Sequence, residues 1–167
     1  MRLPRFAKAV AIVSVVMCCG FKNEPSGFRG VSWGTEYSDS LGLAVKETQG
    51  DYTIAERTNE SMSIGSATLG QVSYIFNKRK FVSVAVGTAG FSNNNSLLDA
   101  LKAQFGEPIQ PNKYITKYYW KGDTSSISMS CDISLSGQCK TYFTGAAQMK
   151  SVTDEDARKA RESAKDF

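Results

Sequence analysis

Histidine is absent from all 167 residues, and that one absence removes a large part of enzyme chemistry. Ser-His-Asp and Cys-His nucleophile systems are excluded outright, and the commonest metal ligand near neutral pH is missing. Carboxylates are thinly spread as well. Between Glu60 and Glu107 the only acid is Asp99. No Gly-x-Ser-x-Gly, Walker loop or Gly-x-Gly-x-x-Gly occurs, so the short motifs that carry hydrolase, phosphate and dinucleotide chemistry are absent too. A carboxylate-dependent hydrolase acting on cell-wall glycan would have to draw on Glu36, Asp39, Glu47, Asp51 and Glu56. Nothing in their spacing sets two of them about 5 to 10 Å apart across a cleft. No cofactor or metal is expected, and the chain reads as a binding protein and not an enzyme.

Long hydrophobic runs are also scarce, and the only one is N-terminal. Met1 to Lys8 carries Arg2, Arg5 and Lys8 without an acid, and leads into Ala9-Val-Ala-Ile-Val-Ser-Val-Val-Met17. Basic flank followed by a short apolar run is the order of a secretion signal. Nine helical residues rise only about 13 Å, less than half of a roughly 30 Å hydrocarbon core, which is too short for a span. Residues 1–20 are therefore expected to be a signal peptide. Two outcomes remain open: cleavage after Gly20, or lipid modification at Cys19, with Cys18 the second candidate. Either route sends the domain out of the cytosol, to a bacterial periplasm or envelope. Membrane contact is then expected only through the lipid anchor, since a single acyl chain binds marginally.

Without the leader, 17 basic residues face 16 acidic ones, a net charge of +1, so the +4 of the whole chain overstates its pull toward anions. Nucleic acid is not an expected partner, because that binding rests on neutralising several phosphates. About 147 residues remain, enough for one domain with its own core.

Two cysteines lie beyond the leader. Cys131 and Cys139 are eight apart around Ser136-Gly137, and a hairpin centred on Leu135 sets them opposite each other. Export favours their oxidation to a disulfide. A redox pair or half a metal site fits less well, with no Cys-x-x-Cys spacing and no histidine.

Residues 21–27 read as a polar tether, residues 28–150 as one α+β domain, and residues 151–167 as a charged C-terminal helix or tail. Phe28 to Thr35 forms a short strand and turn, with Thr35 as N-cap of a brief helix through Leu41. Leu43–Thr48 and Asp51–Arg57 are strands, and residues 59–70 a loop or twisted edge. Gln71–Phe76 and Phe81–Val86 form a hairpin around the basic tip Asn77-Lys78-Arg79-Lys80. Asn94 to Phe105 is the best helix, with Leu97, Leu98, Leu101 and Phe105 on one face and Gly106 and Pro108 ending it. Tyr114–Trp120, Ser125–Ser130 and Gln138–Phe143 are the last strands, and Thr153-Asp-Glu-Asp156 reads as a capping box. The expected fold is an antiparallel sheet with helices packed on one face, in two helix-then-strands repeats, plus a peripheral C-terminal helix.

Phe28-Arg-Gly-x-x-Trp-Gly-Thr35, Ile64-Gly-x-Ala67, Val72-x-Tyr-x-Phe76, Phe81-x-Ser-Val84, Phe-Gly-Glu-Pro108, Tyr118-x-Trp120 and Ala-Lys-Asp-Phe167 resemble an uncharacterised family of bacterial exported proteins and lipoproteins. That resemblance implies export but no activity, cofactor or catalytic residue. The layout also resembles, distantly, the small outer-membrane assembly lipoproteins and the β-lactamase-inhibitor proteins, and layout alone does not carry function.

Two groups are candidates for contacting a protein or envelope partner. Lys78, Arg79 and Lys80 could meet anionic headgroups or an acidic partner, although a solvated tip that discourages edge pairing is the stronger explanation of them. Tyr118 and Tyr119 must point to opposite faces if they lie on a strand, so one of them meets solvent or a partner.

Overall fold

The computed structural model describes residues 21–132 and 137–163. Residues 1–20, 133–136 and 164–167 lie outside it, and with them the expected signal peptide, Cys18, Cys19 and Leu135.

Alternating apolar residues build a seven-stranded antiparallel sheet. In chain order the strands are β1 (Gly27–Phe28), β2 (Val31–Ser32), β3 (Leu43–Gln49), β4 (Tyr52–Arg57), β5 (Ser63–Ile64), β6 (Ala67–Thr68), β7 (Gln71–Asn77) and β8 (Lys80–Ala89). The helix α1 (Phe91–Phe105) separates these from β9 (Lys117–Lys121), β10 (Ser125–Cys131) and β11 (Gln138–Gly145), and α2 (Ala146–Ser163) follows. The main sheet runs β3-β4-β7-β8-β11-β10-β9, with β1-β2 and β5-β6 as separate two-stranded hairpins. The class is therefore α+β.

One sheet face carries the core. Tyr74, Phe76, Val84, Val86, Ile127 and Met129 are almost wholly buried there, and α1 lays Leu97, Leu98, Leu101 and Phe105 on them. Each such apolar side chain contributes about 1.5 to 3 kcal/mol by leaving water. The aromatic rings interlock: Phe28 meets Phe143 at 5.1 Å, Tyr37 meets Phe76 edge-on at 5.3 Å and Trp33 stacks on Phe81 at 4.9 Å. Val82 is an extra residue on β8, between the pairs Ile75–Ser83 and Phe76–Phe81. Such a bulge sharpens the local twist.

Several expectations need correction. Residues 33–37 do not start a helix. Gly34 N–H donates to Phe81, Phe81 N–H to Thr35 and Tyr37 N–H to Arg79, so this segment runs as backbone alongside the start of β8. A single 3-10 turn at Asp39–Leu41 follows, with Ser38 and not Thr35 at its N-cap position. The first of the two units thus lacks a real helix. Residues 59–70 contain the small β5-β6 hairpin, which α1 grips through Asn93: its side chain accepts from Thr68 N–H and donates to Thr68 C=O. That grip helps α1 begin at Phe91, three residues before Asn94. Tyr114 lies in a loop, and β9 starts only at Lys117.

The C-terminal helix begins at Ala146, directly after β11, where Ala146 N–H donates to Thr124. Thr153 is inside it and its hydroxyl returns to Met149 C=O at 2.7 Å, so the capping box does not exist. The helix closes one end of the sheet with Val152 buried.

Residues 21–27, expected to be a tether, are laid against the domain. Phe21 meets Phe105 edge-on at 5.6 Å, Lys22 N–H donates to Phe105 C=O, and Pro25 C=O accepts the Trp33 indole N–H at 2.8 Å. The Glu24 carboxylate accepts from the N–H groups of Thr124 and Ser125, both at 2.6 Å. Burial alone would raise its carboxyl, and these backbone donors outweigh that and leave it lowered. A polar segment with no periodicity can still dock when each polar group has a partner.

Candidate functional site: the open face of the sheet

The face of the sheet opposite the α1-packed core is written by alternate residues of the same strands. Cross-strand pairing sets Tyr119 opposite Ser128, Ser128 opposite Tyr142, Tyr142 opposite Ala85 and Ala85 opposite Ser73, so these five share one row on one face. The next row is Lys117, Ser130, Lys140, Gly87 and Gln71, built the same way. On the other side of the tyrosine row lie Lys121, Ser126, Thr144, Ser83 and Ile75, of which Thr144 and Ser83 are buried and share a hydrogen bond at 3.0 Å.

Relief follows from side-chain size. β10 offers Ser126, Ser128 and Ser130 to this face and sinks Ile127 and Met129 into the core, so it forms a floor between taller side chains on β9 and β11. On the other side of β11, Ala85, Gly87 and Ala89 of β8 floor a depression of about 400 Å³, walled by Tyr142, Lys140 and Gln71. Tyr119 and Tyr142 are each 38% exposed, which is open enough to touch a partner and fixed enough by strand backbone to be ordered.

Charge is uneven across this face. Lys46 on β3 is answered by Glu56 at 3.3 Å, and Glu56 also accepts from Ser73. Lys117, Lys121 and Lys140 have no carboxylate partner among the described residues.

The residues singled out from the sequence are placed differently from one another. Tyr118 and Tyr119 do point apart: Tyr118 packs against the core beside Trp120, and Tyr119 joins the open face. Tyr119 also exchanges both backbone hydrogen bonds with Ile109, at 2.7 and 2.9 Å, which covers the outer edge of β9 there. The basic tip is occupied within the chain. Lys78 pairs with Glu155, and Arg79 reaches Glu36 at 3.3 Å and Tyr37 C=O at 2.9 Å. Both tip residues sit at positive φ, 47° and 67°, as a two-residue hairpin turn demands. Cys131 and Cys139 are directly paired across β10 and β11 and joined as a disulfide. Of the five carboxylates weighed for hydrolysis, Glu36 and Glu56 engage cations, Asp39 opens the 3-10 turn, Glu47 lies on the outer strand and Asp51 in the β3-β4 turn.

Sequence reasoning missed a second cluster. Glu60 is held by Tyr74 Oη at 2.6 Å and by Arg29, whose guanidinium also reaches the carbonyls of Ser61 and Ser63. Burial pushes the Glu60 carboxyl up, but the hydrogen bonds from Tyr74 and Arg29, with the guanidinium charge, win and leave it lowered. Burial first, then Glu60, pushes the Tyr74 phenol well above its ordinary range. Every member is bonded within the cluster, so its role is to pin loops. Only the long-range approach of residues 29, 60 and 74 creates it, and no local spacing announces it.

Among the described residues no group of three Cys, Asp or Glu could hold a metal ion, and no helix is long and apolar enough to cross a membrane. No protein family, curated protein or solved structure matches this chain.

Proposed function

We propose that this chain is an exported, non-catalytic protein of the bacterial periplasm or envelope, binding another macromolecule through the open face of its sheet. One observation carries the binding surface: Tyr119 and Tyr142 share one row of that face, half-exposed, beside lysines that have no carboxylate partner among the described residues. Aromatic side chains on a rigid backbone supply contact area at little cost in conformational entropy, which is why they concentrate at interfaces. Export is supported by the basic-then-apolar leader and by a disulfide, a bond that persists in oxidising compartments. The tip Lys78-Arg79-Lys80 is a weaker candidate surface, since two of its three charges are already engaged.

A photocrosslinking amino acid installed in place of Tyr142, or in place of Met149 on α2 as control, tests the surface. Crosslinked product in envelope extracts from position 142 and none from 149 is expected. Product from 149 alone, or from neither position, overturns the reading.

A further inference from the structure

We infer that the trough over β10 binds an extended anionic polysaccharide, which rests on the proposed function by naming the partner of that same face. The trough has a floor of serine hydroxyls, Ser126, Ser128 and Ser130, and runs with the strand. Its walls stand on the neighbouring strands: Lys117, Tyr119 and Lys121 on β9, Lys140 and Tyr142 on β11. Strand spacing sets the two walls about 10 Å apart, and the five residues of β9 give a length of about 14 Å. Asp132, the next position on this side past Ser130, bounds one end, where its N–H donates to Gln138 C=O.

Lys117, Lys121 and Lys140 line the channel without a carboxylate partner among the described residues, and the acids nearest it are at its ends, Asp132 past Ser130 and Asp123 past Lys121. Local charge therefore favours an anion although the domain as a whole is nearly neutral. The kind of anionic chain follows from which groups are free. All of β10's backbone faces the ladders of β9 and β11, so a peptide lying here would gain no main-chain pairing, the usual source of peptide affinity for a sheet. What the trough does offer is hydroxyls, ammonium groups and flat tyrosine rings. Those are the partners of a hydroxyl-rich chain that carries carboxylates.

The test is titration calorimetry of the purified chain with four probes of similar length: oligogalacturonate, neutral malto-oligosaccharide, oligoglutamate and single-stranded oligothymidylate. Binding of oligogalacturonate is expected, with the neutral sugar far weaker, and with a loss of about tenfold or more on raising salt from about 0.02 to about 0.3 M. Tyr142→Ala and Lys140→Gln should each weaken it about tenfold, and Lys150→Gln on α2 should not. Thermal melting of each variant separates lost binding from lost fold, and Lys117→Glu provides a second charge variant at an exposed position. Preferred binding of oligoglutamate or oligothymidylate, weakened by the same variants, overturns the polysaccharide and keeps the face. Binding of none of the probes overturns the inference, while crosslinking from position 142 judges the face separately.

Discussion

Tyr74 on β7 donates its hydroxyl to Glu60 at 2.6 Å, and Arg29 from the β1-β2 turn holds the other oxygen of that carboxylate. Three segments remote in sequence are thereby tied at one nearly buried acid, with 7% of its side chain exposed. Because the carboxyl is lowered in the folded state, it stabilises the domain above its unfolded value, and that contribution is lost as pH falls through the folded value. Glu24 has the same sign. Glu60→Gln should cost about 1.5 to 3 kcal/mol at neutral pH, because the amide loses the charge that Arg29 and Tyr74 meet while the Ser61 and Ser63 carbonyls still hold the guanidinium, and should flatten the acid limb of stability. Urea unfolding at a series of pH values reads both, and an unchanged acid slope would sink the assignment.

Replacing Cys131 and Cys139 together by serine should lower stability by about 2 to 3 kcal/mol. The two are a direct cross-strand pair, so the bond closes a short loop between β10 and β11. Denaturant midpoints with and without reductant give the comparison, and reductant should leave the double variant unaffected.

Thr141 is fully buried between β8 and β10, and its hydroxyl has no hydrogen-bond partner among the described residues. Thr141→Val keeps the shape and removes the unmet polar group, so a gain of about 1 kcal/mol is expected. A loss of stability would mean that the hydroxyl is satisfied in solution.

At the β7-β8 tip, Lys78→Asn with Arg79→Gly supplies residues suited to positive φ. The surface ion pairs it removes are each worth less than about 1 kcal/mol, so unfolding should show a change within about 1 kcal/mol. Crosslinking from position 142 should persist. Its loss in this variant would move the partner surface to the basic tip.

Mass spectrometry of the protein recovered from its native host should find a mature N-terminus at Phe21, or at Cys19 or Cys18 with added lipid mass. An intact Met1 on the soluble protein would remove export from the proposal. Since Phe21 is already packed on Phe105, a lipidated form would hold the domain close against the bilayer with little slack.

The β7-β8 hairpin, the apolar face of α1 and the Cys131–Cys139 pairing were legible because each depends on residues close together in the chain. Phe81 to Val86 and Leu97 to Phe105 declare strand and helix within a few residues. Segments stabilised by distant partners were not. Thr35 carries a good capping side chain, yet the backbone bonds of residues 34–37 to β8 outweigh one turn of helix. Phe21 to Gly27 look like a tether until Phe105, Trp33 and Ser125 provide their partners.

The same division holds for the site. Composition by itself excluded histidine chemistry, because a missing side chain cannot be restored by folding, and alternation placed Tyr118 and Tyr119 on opposite faces of whatever strand they joined. Which of the two would meet solvent, that Tyr142 would stand beside it, and that serines would floor the space between them were decided only when β11 entered the sheet between β8 and β10. Strand order is set by the burial of residues far apart in the chain, and it alone determines which exposed side chains become neighbours.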